Sequence, residues 1–167
     1  MPHPAGKVPP RPVRTERQTK AASMRLVRSH ARYTGKPNNR AMHELDASPV
    51  SAPPRAAIRK LVSAALREDI GGGDLTAALI ETQSRAAARL LCRDNRRVVL
   101  CGCAWFEEAF RRVDDAVEMR WLHGDGARLA AGDEVCRIDG RARAMLTAER
   151  TAINLLQTLS ATATAST

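Results

Sequence analysis

The segment Met145 to Ser160, MLTAERTAINLLQTLS, is the strongest constraint in the chain. At about 100° per residue, Met145, Leu146, Ala148, Ala152, Ile153, Leu155, Leu156 and Leu159 cover roughly half of a helical wheel. Thr147, Thr151, Asn154 and Thr158 cover the other half. So broad an apolar arc needs a sheet or other helices over it. Glu149 nevertheless falls inside the arc, and Arg150 sits about 40° beyond its edge at the same helical pitch. A charge in a buried stripe is costly unless it is paired. The Glu149–Arg150 pair therefore asks for a reason beyond packing.

The rest of the chain supplies elements on which such a helix can pack. Ala56 to Asp69 places Ile58, Leu61, Val62, Ala65 and Leu66 at the i, i+3, i+4, i+7, i+8 spacing of an amphipathic helix. Gly71, Gly72 and Gly73 end it, and Asp74 or Thr76 is expected to cap or turn the next segment. The triple glycine lacks the Lys-Ser/Thr of a phosphate loop, and Glu68, Asp69 and Asp74 would repel phosphate. A tight turn whose carboxylates hold backbone amides is the better expectation. Ser84 to Gly102 partly alternates apolar and polar residues, with Asp94-Asn95-Arg96 as a hairpin turn. Cys103 to Val113 returns to helical spacing, with Trp105, Phe106, Ala109, Phe110 and Val113 inward. Ala116 to Leu129 alternates again, with Val117, Met119 and Trp121 on one face and a Gly124-Asp125-Gly126 turn. Further turns are expected at Gly132-Asp133 and Asp139-Gly140. Helix, strands, helix, strands, helix predicts an α+β domain: an α/β sandwich with a mostly antiparallel sheet packed by helices.

Charge divides the chain in two. Residues 1–55 carry eleven Lys and Arg against Glu16, Glu44 and Asp46, whereas residues 56–167 carry sixteen against fifteen acids. The first part also holds most of the prolines and little periodic apolar content, so it is expected to be a disordered basic tail. The tail has three readings. It is a solvated extension without a role, or a stretch upstream of a true start at Met24 or Met42, or a functional arm. An arm of this kind suits an organelle transit peptide or nucleic-acid binding. Without interleaved aromatics for base stacking, nucleic acid is not expected as a partner. N-terminal sequencing of the native protein separates the three.

Other classes are excluded more simply. No run of about 18 apolar residues exists, so no membrane span is expected, and the N-terminus lacks the apolar core of a secretory signal. With two Trp, two Phe and one Tyr, the core must come from Leu, Val, Ile and Ala. Cys92, Cys101, Cys103 and Cys136 form one C-x-C pair with no second close pair, which is poor metal spacing. Of the four histidines only His123 lies outside the tail. Buried thiols in a reducing cytoplasm are expected, with no metal ligands and no disulfide framework.

Three stretches carry a family resemblance: Arg67–Thr76 (REDIGGGDLT), Asp125–Leu146 (DGARLAAGDEVCRIDGRARAML) and Leu146–Ser160 (LTAERTAINLLQTLS). In that order they resemble the nicotinate-nucleotide pyrophosphorylases, or quinolinate phosphoribosyltransferases, over about residues 56–163. The resemblance implies an N-terminal α/β sandwich, normally followed by an α/β barrel holding most of the active site. It implies transfer of a phosphoribosyl group from phosphoribosyl pyrophosphate to quinolinate. Loss of carbon dioxide then gives nicotinate mononucleotide in NAD biosynthesis, with Mg²⁺ accompanying the pyrophosphate. It also implies a role for Arg150. In the family the arginine of A-E-R-T crosses a dimer interface and binds a substrate carboxylate in the neighbour's site. A guanidinium fork suits that task. Glu149 would then be structural, accepting hydrogen bonds from backbone amides or from Arg141 or Arg143.

The departures are equally specific. The family continues L-S-G-x-A-T, whereas this chain reads LSATATAST with Ala161 in place of the glycine. The phosphate-holding cations and metal-binding acids belong to the barrel, and no substitute cluster appears. One arginine cannot position a pyrophosphate leaving group. Residues 56–167 are thus expected to be a truncated N-terminal domain, with no catalytic residue or metal ligand of its own and no activity alone. A homodimer through the last helix and sheet is expected, in the cytoplasm. Two other readings stand beside this one: a non-catalytic dimerisation module derived from that domain, and a related glycosyltransferase with another pyridine-like or purine-like substrate.

Overall fold

Alternation in the strands and 3.6-residue periodicity in the helices sort the side chains into one shared interior. The computed structural model describes residues 24–29, 53–71, 80–81 and 83–167. The elements run β1 (Met24–Ser29), α1 (Arg55–Ile70), β2 (Arg85–Cys92), β3 (Val98–Val99), α2 (Cys103–Val113), β4 (Glu118–Trp121), β5 (Arg128–Leu129), β6 (Glu134–Arg141) and α3 (Ala142–Ala165). Four antiparallel strands form one sheet in the order β1-β2-β6-β4, and β3 pairs with β5 in a two-stranded ribbon. The predicted α+β class, with a mostly antiparallel sheet, is what forms.

The register explains which face is covered. Leu26, Leu90 and Cys136 share one rung, and Ala88, Ile138 and Met119 share another. All of these but the half-buried Met119 are buried. The opposite face carries Arg89, Arg137 and Arg120 side by side in a single rung. Like charges directly opposite one another are unfavourable, and Glu134 offsets this by pairing with both Arg137 (2.5 Å) and Arg89 (3.7 Å).

Several expectations change in space. Met24–Ser29, inside the tail expected to be disordered, is an edge strand paired with β2 over six residues. Met24 and Leu26 are buried, and Gln157 Nε2 donates to the Met24 carbonyl at 2.9 Å. Bulk composition hid a short segment whose Met24 and Leu26 enter the core from the edge of the sheet. The remainder of residues 1–52, on which the other readings of the tail fall, lies outside the described residues. A chain beginning at Met42 would lack this strand.

The Asp94-Asn95-Arg96 turn does not make a hairpin, because β2 and β3 belong to different sheets. The Asp94 carboxylate accepts the Arg96 amide at 3.0 Å, which redirects the chain. The end of β2 is claimed instead by the Gly132-Asp133 turn: Cys92 donates to the Asp133 carbonyl and accepts from the Gly132 amide.

Asp139-Gly140 is no turn either. β6 runs straight through both residues, and α3 starts immediately after Arg141. Glycine is required at position 140 by proximity, since a Cβ there would lie 2.9 Å from Val117 Cγ2.

The helices stack on the inner face. Ile58, Val62 and Leu66 point inward from α1, while Leu61 is 48% exposed, so the helix buries a narrower stripe than the spacing suggested. Phe106 and Phe110 of α2 are fully buried, with ring centroids 5.1 Å apart, and Phe106 meets Trp121 of β4 edge-on at 5.6 Å. Gly102 precedes α2 at φ 105°, where a Cβ would approach Leu159 Cδ1 to 2.7 Å, so the two helices close over a bare backbone.

The long helix is rotated from its expected setting. Its buried residues are Ala144, Met145, Ala148, Thr151, Ala152, Leu156 and Ser160, whereas Leu146, Ile153, Leu155 and Leu159 are only half-buried. Small side chains let the helix axis sit close to its neighbours, and that pushes the larger ones to the margin. Thr151, assigned to the polar half of the wheel, is 1% exposed.

Candidate functional site: an arginine at the junction of two helices

The C-terminal turn of α1 abuts the middle of α3, and three side chains decide the chemistry there. Thr151 Oγ1 donates to Asp69 Oδ2 at 2.5 Å. The other carboxylate oxygen, Asp69 Oδ1, lies 3.5 Å from Arg150 Nε. The Arg150 side chain is 83% exposed and that of Asp69 24%. Arg150 therefore stands clear of the packed interior and projects its guanidinium from the surface. Glu149, one residue earlier, is half-buried and faces a different way.

Glu149 lines a groove of about 630 Å³ between β1, β2 and α3. Met24, Leu26, Ala88, Met145 and Ile153 make its apolar walls, and Arg25 and Arg93 also border it. This is how a carboxylate enters the apolar arc of the helix: part of that arc faces a groove and not the core. The expected Arg141 partner for Glu149 is overturned. Arg141 is committed to Asp114, with Nε at 2.7 Å and Nη2 at 2.9 Å from its two oxygens. That carboxylate is 4% exposed and also accepts the Ala116 amide at 3.1 Å. The Arg141 hydrogen bonds hold the Asp114 carboxyl below its ordinary value of 3.8. Arg143 Nη2 donates to the Ile80 carbonyl at 2.7 Å.

Asp69 and Thr151 were missed as site residues by sequence reasoning. Asp69 was grouped with turn carboxylates expected to hold backbone amides, but it binds a hydroxyl and a guanidinium on another helix. Residues 72–79, with Asp74 and Thr76, lie outside the described residues. The one legible signal was Asp69 itself, a carboxylate where a helix end favours cations.

The cysteines remain structural. Burial pushes the thiols of Cys92, Cys101, Cys103 and Cys136 upward, away from the reactive thiolate. Among the described residues no three His, Cys, Asp or Glu side chains gather to hold a metal ion. No described helix is long and apolar enough to cross a membrane.

A four-stranded antiparallel sheet, covered by the long last helix and two further helices packed with it, defines an α/β sandwich domain with an arginine projected from that last helix. The family model described as "Quinolinate phosphoribosyl transferase, N-terminal domain" matches residues 74–160. That is just over half of the chain, and the chain belongs to this family. It is 33% identical over 107 residues to the probable nicotinate-nucleotide pyrophosphorylase [carboxylating] of Bacillus subtilis, covering 64% of this chain and 36% of that protein. Among solved structures, the nicotinate-nucleotide pyrophosphorylase of Francisella tularensis superimposes with a TM-score of 0.64 at 33% identity, over 71% of this chain and 41% of that one. NadC of Streptococcus pyogenes gives 0.65 at 33% identity, over 69% and 41%. The chain thus spans about a third of the length of the curated relatives it matches.

Proposed function

We propose that this chain is the N-terminal, dimer-forming and substrate-contacting part of a phosphoribosyltransferase of NAD biosynthesis. The complete enzyme would convert quinolinate and phosphoribosyl pyrophosphate to nicotinate mononucleotide, carbon dioxide and pyrophosphate. Arg150 would enter the neighbouring subunit's site and grip a quinolinate carboxylate. The observation that carries this reading is the exposed guanidinium of Arg150, within the A-E-R-T motif of a chain shown to belong to this family. A core arginine would be expected to look like Arg141, doubly bonded to a buried acid; Arg150 does not.

Mg²⁺ would serve the pyrophosphate of the co-substrate. By the family resemblance it would be held in the barrel, through carboxylates and the phosphates of the co-substrate. The half-buried Leu146, Ile153 and Leu155 of α3 favour the helix as the surface covered in a homodimer. The charged outer face of the sheet favours it less. A cytoplasmic setting agrees with four free cysteines.

Two assays test the reading. The pure 167-residue chain should make no nicotinate mononucleotide from quinolinate and phosphoribosyl pyrophosphate; measurable product would overturn the division of labour proposed here. The full chain joined to the remaining length of the Bacillus subtilis relative supplies the length that this chain does not span. In that fusion Arg150→Ala should lower kcat/KM for quinolinate by about 100-fold, the scale expected for losing a bidentate charge-assisted contact.

A further inference from the structure

By local rules Asp69 is misplaced. It occupies the last turn of α1, where unpaired carbonyls make the helix end negative and a carboxylate is disfavoured. The reason for its position lies across the helix junction. Its Oδ2 is fixed by Thr151 Oγ1 at 2.5 Å, and Thr151 is 1% exposed, so the hydroxyl is itself held by packing. Its Oδ1 is left to face the guanidinium of Arg150 at Nε, 3.5 Å away.

We infer that Asp69, locked by Thr151, is a positioning residue that presents the terminal Nη pair of Arg150 to a carboxylate ligand. The inference rests on the substrate role proposed for Arg150 above. Geometry carries it. A guanidinium grips a carboxylate through two parallel N–H donors, and contact at Nε leaves the terminal pair for that purpose. A separation of 3.5 Å is long for a hydrogen bond, so the carboxylate orients the group without saturating its donors. An exposed arginine without this contact would lose its rotamer freedom only on gripping the ligand, at a cost to affinity. Asp69 does part of that ordering beforehand. Its negative charge opposes an anionic ligand, so orientation must outweigh repulsion if the inference holds.

The test begins with the full 167-residue chain, labelled with ¹⁵N, by relaxation of the Arg150 Nε–Hε group. In the Asp69→Asn protein the amide oxygen still accepts from Thr151 but the charge is gone. Arg150 Nε–Hε motion should increase while the melting temperature stays within a degree or two. Unchanged motion overturns the inference, whatever Arg150 binds. The fusion to the Bacillus subtilis relative then supplies the kinetic readout. Asp69→Asn should raise KM for quinolinate about tenfold and leave kcat within about twofold, the pattern of lost binding before the chemical step. A KM that is unaltered or lowered, beside a raised KM in Arg150→Ala, overturns the positioning role alone. If Arg150→Ala itself leaves KM unaltered, the substrate role fails and takes the inference with it.

Discussion

Two aspartate–arginine pairs in this domain use the same chemistry to opposite ends. Asp114 and Arg141 meet through two short hydrogen bonds with the carboxylate 4% exposed, and they tie the end of α2 to the end of β6. Asp69 and Arg150 meet through one long contact at a surface, with the guanidinium 83% exposed. The first pair uses up the fork of its arginine within the fold. The second leaves most of its arginine's donors to solvent. Exposed ion pairs contribute little to stability, so a surface arginine steadied by a half-buried carboxylate is poorly explained as a fold-stabilising device. Under the proposed function it is a ligand-facing group.

Mutations can break this contrast. The largest effect is expected at Asp114→Ala, which leaves Arg141 and the Ala116 amide without their acceptor and should cost about 2 kcal/mol in urea unfolding. The same carboxyl gives a pH signature. Its folded value is depressed, so its contribution is complete above the ordinary 3.8 and is lost as pH falls through the lower folded value. An Asp114→Asn protein should lack that component of the acid slope, and superimposable pH–stability curves for the two proteins would refute the assignment. Next comes Thr151→Val, which keeps the volume of a buried side chain but deletes its bond to Asp69. A loss of about 1 kcal/mol is expected, read as a lower urea midpoint at constant slope. The smallest effect is expected at Arg150→Ala, whose urea midpoint should match that of the parent chain. A clear drop there would make Arg150 a second Arg141 and erase the contrast.

Much of the architecture was legible beforehand because it depends on local periodicity. The helices at Ala56–Asp69 and Cys103–Val113 fall within a residue or so of their observed bounds. The long helix was recognised too, although it extends further at both ends. What failed depended on pairing at a distance. β1 was hidden because so short a segment is overwhelmed by the basic, proline-rich composition around it. The hairpin after β2 was wrong because turn residues specify a change of direction but not the partner strand. Asp139-Gly140 read as a turn because glycine in sequence does not distinguish a bend from a close approach, and here Val117 imposes the latter.

The site divides along the same line. Sequence alone singled out Arg150, by its place on the helical wheel and by the motif around it, and separated it from Glu149 at the apolar margin. It also determined the domain class, because periodicity and turn chemistry act over a few residues at a time. Only the tertiary structure decided that Asp69 and not another acid faces Arg150, that Thr151 is buried to hold it, and that Arg141 belongs to Asp114. Asp69 and Thr151 are 82 residues apart in the chain. Such partners are chosen by how two helices pack, and packing is a property of the whole core that no local pattern encodes.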